Sequence, residues 1–342
     1  MTVAAALGVA VLLKTQFRGG SWLRVGPVID VCYADGEISP AKRKPIETEA
    51  RTFIDGLLGD PLDAYAQMST IGSAVVTSDQ ITTLSAHLKT SPQAAPVRVI
   101  HTLFIDSLIS APPGSKIPCS DASGPRGVEF VSFGPQAREA HVLLSEGLGN
   151  AERTFEVWLA QEDGAWRVNG FSYGLSSIAG HDGEFFWNHA KEQRARGNMF
   201  NAAFLYVAAA TTLSRGPDYA TRSWTAFAKD YASFVPPPEL SGTLPFKWLI
   251  DGDTYEISSV QVVGASRGQL ALLIDQPSPN WRGEQDAERR NHETIDAITA
   301  AHPEWMETFD AIVVRSAAPG LNRVFGSVYD KDKGYLASKP AN

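Results

Sequence analysis

Residues 154–173 read TFEVWLAQEDGAWRVNGFSY, and the fold turns on this stretch. Phe155, Val157 and Leu159 alternate with Thr154, Glu156 and Trp158, the period-two pattern of a strand whose successive side chains face opposite ways. Glu162-Asp163-Gly164 is a turn signal, and 166–173 alternates again, so the stretch predicts an antiparallel hairpin. Working backwards, 139–146 and 127–133 read as further strands, with Gly147, Gly149 and Asn150 marking a turn. Residues 97–109, rich in β-branched and apolar side chains, read as the first strand. Residues 111–127, which carry Cys119, read as a loop.

Before that strand the period changes. From Ile46, Ala50, Phe53, Ile54, Leu57 and Leu58 recur at helical spacing. Gly59-Asp60-Pro61 ends that helix and starts another, with Leu62, Tyr65, Ala66 and Met68 on one face. Thr77-Ser78-Asp79 offers caps for a third helix over 80–88. A meander preceded by helices is expected to bury one face of its sheet and wet the other. Pro40 and Pro45 bracket the basic cluster Lys42-Arg43-Lys44, which reads as a linker.

Residues 49–69 (EARTFIDGLLGDPLDAYAQMS) together with the meander closing on FEVWLAQEDGAWRVNGFSY resemble the nuclear-transport-factor-2-like superfamily, which includes the ketosteroid-isomerase-like and SnoaL-like proteins. The resemblance spans 46–174 and implies a cone, with helices laid on the concave face of a curved sheet. Its motifs are structural, so it implies fold more than chemistry. Catalytic members of the superfamily place an acidic or His base and a Tyr or Asp donor inside the cone, where an apolar wall raises a carboxyl pKa. Tyr65, His101, Asp106, Glu129 and His141 are the groups here that could supply such a pocket. Strand register decides which of them point inward.

Residues 187–214, WNHAKEQRARGNMFNAAFLYVAAATTLS, resemble a single tetratricopeptide hairpin. Gly197, Phe200, Ala202, Tyr206 and Ala209 fall at its turn glycine, packing aromatics and small crossing positions. Ala190 stands where the first helix usually carries Gly, and Pro217 comes a few residues late for the closing Pro. A lone unit cannot bury its faces, so this hairpin is expected to pack between domains. A helix over 219–234 is expected to cover it. Trp187, Tyr206 and Trp224 form the candidate partner surface on its flank. Pro236-Pro237-Pro238 then reads as a boundary. Beyond it, strands at 246–250, 255–263 and 269–274, a helix at 284–301, and strands at 309–315 and 323–329 predict a small α+β domain. The expected division is 1–45 apolar segment and linker, 46–180 cone, 181–238 hairpin region and 239–342 C-terminal domain, an α+β protein throughout.

Composition sets outer limits. The chain has 342 residues, 44% hydrophobic, with 30 basic and 38 acidic residues and a formal charge of -8. No Lys/Arg-rich stripe could track phosphates, so a nucleic-acid partner is disfavoured. Only Cys32 and Cys119 occur, which excludes cysteine-rich metal sites. They are either two separate thiols or a disulfide, which would stabilise the fold by about 4 kcal/mol through loop closure. Residues 2–13 are apolar, too short to span a bilayer comfortably. Lys14, Arg18 and Arg24 follow this run, the wrong order for ordinary export. A membrane-associated helix, a signal starting further upstream and an ordinary packed helix all fit. A membrane-associated or cell-envelope setting is expected ahead of a cytoplasmic one.

Catalytic motifs fail on context. Ser39-Pro40-Ala41-Lys42 has S-x-x-K spacing, but it lies in a basic linker and its accessory motifs come in the wrong order. The glycine-bounded run 174–180 lacks the nucleophile-elbow spacing. His181 and His189 lie about 80° apart on a helix, which does not suit one metal, and Asp182 is better read as an N-cap. The run 330–334 reads as a solvated turn, since an EF-hand needs a distant Glu. No cofactor or metal is expected. The function expected first is a non-catalytic binding or assembly protein with a protein partner or a second copy of itself. An isomerase or hydrolase acting on a hydrophobic small molecule comes next, and a small-ligand carrier third.

Overall fold

The structure is a computed structural model and describes residues 30–90, 95–107, 116–119, 128–131, 138–215, 219–240, 244–266, 268–278, 282–318 and 323–336. Residues 2–13, the proposed membrane segment, lie outside the described residues.

β1 (Asp30–Ala34) pairs antiparallel with a strand far downstream, so the cone begins well before Ile46. The expected linker is helical instead. α1 (Pro40–Leu58) starts after Ser39, with Pro40 at its first position, where an absent N–H is tolerated. Pro45 lies within the helix and withholds one N–H from its ladder. The basic cluster thereby occupies the first turns of α1, where Arg43 reaches Glu47 at 3.5 Å and the Asp35 carbonyl at 3.3 Å. α2 (Pro61–Ala66), α3 (Thr70–Val75) and α4 (Ser78–Leu88) are capped by the side chains of Asp60, Ser69 and Thr77. Gln80 returns the bond to the Thr77 N–H, completing a capping box.

β2 (Arg98–Ser107), β3 (Lys116–Cys119), β4 (Val128–Val131), β5 (Arg138–Gly147), β6 (Ala151–Glu162), β7 (Ala165–Ile178) and β8 (His181–Asp182) follow. The order β1-β2-β5-β6-β7-β8 makes one antiparallel sheet, curled into a half-barrel, and the protein is α+β with a cone-like curved sheet. Phe53, Ile54 and Leu57 of α1 fill its concave face, against Phe104, Val142, Leu144, Phe155, Val157 and Leu159. The other face is not wet, as a simple meander would have it. β5 and β6 are buried on both sides along most of their length. Cys32 of β1 is disulfide-bonded to Cys119 of β3, with Cα atoms 5.3 Å apart. Cys119 is buried with Leu103, Ile105 and Leu143 on the convex side.

α5 (Gly183–Arg196) and α6 (Met199–Leu213) form the hairpin, and Gly197 takes the left-handed C-cap (φ +83°) that glycine adopts without penalty. The expected helix over 219–234 is shorter. β9 (Tyr219–Thr221) joins the three-stranded sheet β3-β4-β9, and only then does Thr221 cap α7 (Arg222–Tyr231). β10 (Phe246–Ile250) and β11 (Asp253–Ile257) form a separate hairpin. The strand expected over 255–263 breaks at Ser258, whose N–H turns to the Asp275 carbonyl at 2.7 Å. β12 (Ser259–Ser266), β13 (Gln269–Pro277), α8 (Glu284–Ala301), α9 (Trp305–Thr308), β14 (Ala311–Ala318), β15 (Arg323–Asp330) and β16 (Gly334–Leu336) complete the chain. The five strands lie in sequence order. Only β13 and β14 are parallel, because α8 carries the chain back across the sheet.

α6 is buried nearly all round, as a helix with no polar stripe must be. Its Phe204, Leu205 and Ala209 share a core with Ile274, Ile312, Val314, Trp305 and Phe309. The hairpin therefore completes the C-terminal core, and Ile178 and Ala179 at the end of β7 join it there. At this junction Gly264 of β12 allows close approach, since a Cβ would meet the Asn150 side chain at 2.8 Å and the Ala179 nitrogen at 3.2 Å.

Candidate functional site in the cone

Alternation along β2 is reversed by a bulge between Val99 and His101. Val99 opposes Leu144 and lies against the concave core, whereas His101 opposes Leu143 on the convex side. The residues nominated for a pocket therefore divide. Tyr65 packs on the rim of the concave core. Asp106 sits at the sheet end between Lys42 at 3.9 Å and Arg138 at 3.4 Å. His101 is held on the other face by Asp35, with Nδ1 2.5 Å from a carboxylate oxygen, while the second oxygen accepts the Thr102 N–H at 2.8 Å. His141 is also convex, fully buried, with Nδ1 2.7 Å from Glu156. Glu129 lies on β4, outside the cone sheet, paired opposite Pro118. Among the described residues these groups are spread over different surfaces, and the bulge accounts for His101, which it moves to the face opposite Tyr65.

The convex face instead carries a buried polar layer. The Ser172 hydroxyl donates to the Arg215 carbonyl at 2.7 Å and lies 3.2 Å from Glu156, and the Trp158 ring stacks on His141 with centroids 6.2 Å apart. In this layer Glu156 lies within reach of both His141 and the Ser172 hydroxyl. Nearby, burial works to raise Glu152, but hydrogen bonds from Ser145 and Arg98, with the charges of Arg98 and Arg215, outweigh it and hold the carboxyl below its ordinary value.

On the concave side, sequence reasoning missed three groups. Glu49 projects from α1, and burial raises its carboxyl pKa against the opposing pull of Arg167. Its Oε1 is buried with no hydrogen-bond partner among the described residues. Burial likewise raises the Tyr173 phenol, with Arg153 lowering it in part. Arg153 is itself buried, paired with Glu146 at 2.8 Å and donating to the Leu88 carbonyl at 3.3 Å. The helical spacing Glu49-Phe53 would have flagged the first of these, being one turn apart on a core-facing stripe. A base and a donor must converge on open space to do acid–base chemistry. Here Phe53 and Phe171 meet at 4.9 Å on the same two elements, within a core whose members are almost wholly buried.

The proposed partner surface is already occupied from within. Tyr206 is buried, which removes it from any surface. Its hydroxyl donates to Asp230 of α7 at 2.9 Å, and the Trp187 Nε1–H donates to the same carboxylate at 2.7 Å. Trp224 stacks on Phe227 at 5.5 Å. Trp187 and Tyr206 thus tie the hairpin to α7 through Asp230, while Trp224 stacks within α7 itself. His181 stacks on Phe185 at 3.9 Å, and Asp182 caps α5 by accepting the Phe185 N–H at 2.9 Å. No group of three metal-ligating side chains occurs among the described residues.

Fold and site together define an α+β protein with a curled antiparallel sheet, a helix-filled concave face and a second sheet domain built around a helical hairpin. No family model matches the chain, and no curated protein or solved structure matches it.

Proposed function

We propose that the chain is a non-catalytic binding or assembly protein in which the cone and the helical hairpin act as a scaffold. The observation that carries this is the packing of the concave face, where α1 meets β5, β6 and β7 through Phe53, Phe155, Phe171 and aliphatic side chains. We read the N-terminal unit as nuclear-transport-factor-2-like, on α1 packed into the concave face of a curved antiparallel sheet, and the hairpin as tetratricopeptide-like, on Gly197 at the turn and buried Ala202 and Ala209. The Cys32–Cys119 disulfide supports an oxidising setting such as the cell envelope, because cytosolic reductants oppose such bonds. Among the described residues no helix is long and apolar enough to cross a membrane.

Two measurements test the reading. Thermal shift with a steroid and with a fatty acid is expected to leave the melting temperature unchanged, because a ligand of the folded state would raise it by mass action. A rise of several degrees would overturn the scaffold reading in favour of a carrier, or of an enzyme using Glu49. In-cell crosslinking followed by denaturing purification is expected to yield a discrete covalent adduct, and recovery of bare chain alone would count against a binding role.

A further inference from the structure

Two depressions adjoin where the hairpin turn, the proline segment and β10 meet. One, of about 480 Å³, lies between the turn after α5 and residues 235–238. The other, of about 270 Å³, lies against β10. Phe200 and His302 line both and form the ridge between them. Val235, on the wall of the first, is 75% exposed, and Leu249, on the wall of the second, is 73% exposed. No large apolar side chain among the described residues is more exposed. Leu249 points outward because its neighbours Trp248 and Ile250 take the inward positions of β10.

The ridge is pre-formed. His302 stacks on Trp305 with centroids 4.8 Å apart and planes 11° from parallel, and its Nδ1 lies 3.2 Å from Glu304. Phe200 is wedged against His302 at 4.7 Å and Trp305 at 5.7 Å. Walls that need no ordering reduce the entropic cost of binding. The charge of the cleft is one-sided: Glu239, Asp251 and Glu304 line it, and among the described residues no Lys or Arg does.

Resting on the binding role proposed above, we infer that this double cleft docks an extended, basic-and-apolar segment of a partner protein. Two apolar side chains of the segment would enter the depressions on either side of Phe200 and His302, and flanking Lys or Arg would meet the carboxylates. Extended segments that place alternate side chains in neighbouring pockets are a recurrent mode of recognition, and opposite charge on the rim speeds encounter and excludes acidic competitors. A second copy of the chain fits poorly, since its formal charge is -8.

The test uses the full chain and two fluorescein-labelled peptides, one alternating Leu with Lys and the other alternating Leu with Glu, followed by anisotropy at about 0.15 M salt. Saturable binding of the Leu/Lys peptide is expected, with the Leu/Glu peptide weaker by at least about tenfold. Leu249→Asp and Val235→Asp should each weaken the Leu/Lys peptide by about tenfold. Both side chains are solvent-exposed, so neither substitution endangers folding. Leu62→Asp, at an exposed apolar position on α2, should leave binding unchanged. Equal binding of the two peptides, no saturable binding, or indifference to the cleft substitutions overturns the inference. So does a dimer in sedimentation that Leu249→Asp dissolves, which would make the occupant a second copy. If the in-cell adduct survives Leu249→Asp and Val235→Asp, the cleft inference fails while the binding role stands.

Discussion

Glu49 shows how a single side chain can carry both a cost and a hypothesis. At acid pH its carboxyl is protonated in the folded and the unfolded chain alike. As pH rises through the ordinary glutamate range the unfolded chain ionises freely while the buried group resists, so folding is penalised at neutral pH and not at acid pH. Glu49→Gln should therefore raise the melting temperature at about pH 7 and leave it unchanged at about pH 3.5; a gain that is the same at both would disprove the assignment. Asn291 poses the opposite case. It is fully buried on α8, accepts from Gln276 at 2.9 Å and Ser316 at 2.7 Å, and donates to the Phe325 carbonyl at 3.2 Å. Asn291→Ala strands those partners in the core and should cost about 2–3 kcal/mol in denaturant unfolding. Neither role was legible from residue type alone. Helical spacing could place Glu49 beside the core stripe, but whether a partner waits there depends on strands far away in the chain. His101 is a sharper instance, because one bulged residue moved it to the other face of the sheet.

Elements were more legible than side chains. The alternation in 154–161, the turns after Gly147 and Glu162, and the helical stripe from Ile46 are local signals, and β6, β7 and α1 lie where those signals put them. The misreadings came from elements whose identity is set by a distant neighbour. Basic residues between two prolines looked like a linker, yet they form the first turns of α1, whose Lys42 and Arg43 find Asp106, Asp35 and Glu47. Tyr219–Thr221 looked helical, yet β4 recruits it as a strand. The disulfide belongs at this scale, since it ties the edge strand β1 to β3 across 87 residues of sequence. Replacing both cysteines (Cys32→Ser with Cys119→Ser) should lower stability by about 2–4 kcal/mol. Amides of β1 should lose protection first in hydrogen exchange, and unchanged β1 protection would show that the bond is incidental to the sheet edge.

At the scale of the whole molecule, α6 binds the C-terminal half together. Phe204, Trp305 and Phe309 meet in one aromatic cluster, with Phe204 and Trp305 centroids 5.1 Å apart, and the Asn201 side chain bonds the Glu304 carbonyl at 2.9 Å. A fragment of residues 181–342 should unfold cooperatively and give dispersed amide resonances. A fragment of residues 239–342, stripped of α6, should expose that aromatic cluster and bind a hydrophobic dye; a cooperatively folding 239–342 would refute the shared core. The boundary at Pro236-Pro237-Pro238 thus marks a turn in the path of the chain and not a division between cores. What the sequence by itself determined was the class of the protein, its helix and strand periods and most of its turns, because these rest on side-chain spacing within a few residues. Tertiary structure alone decided that the cone is packed with apolar side chains, that its convex face is buried as well, that the nominated acid–base groups lie on opposite faces, and that the hairpin completes the second domain. Those outcomes depend on strand register and on which surfaces meet, and both are set by contacts between residues far apart in sequence.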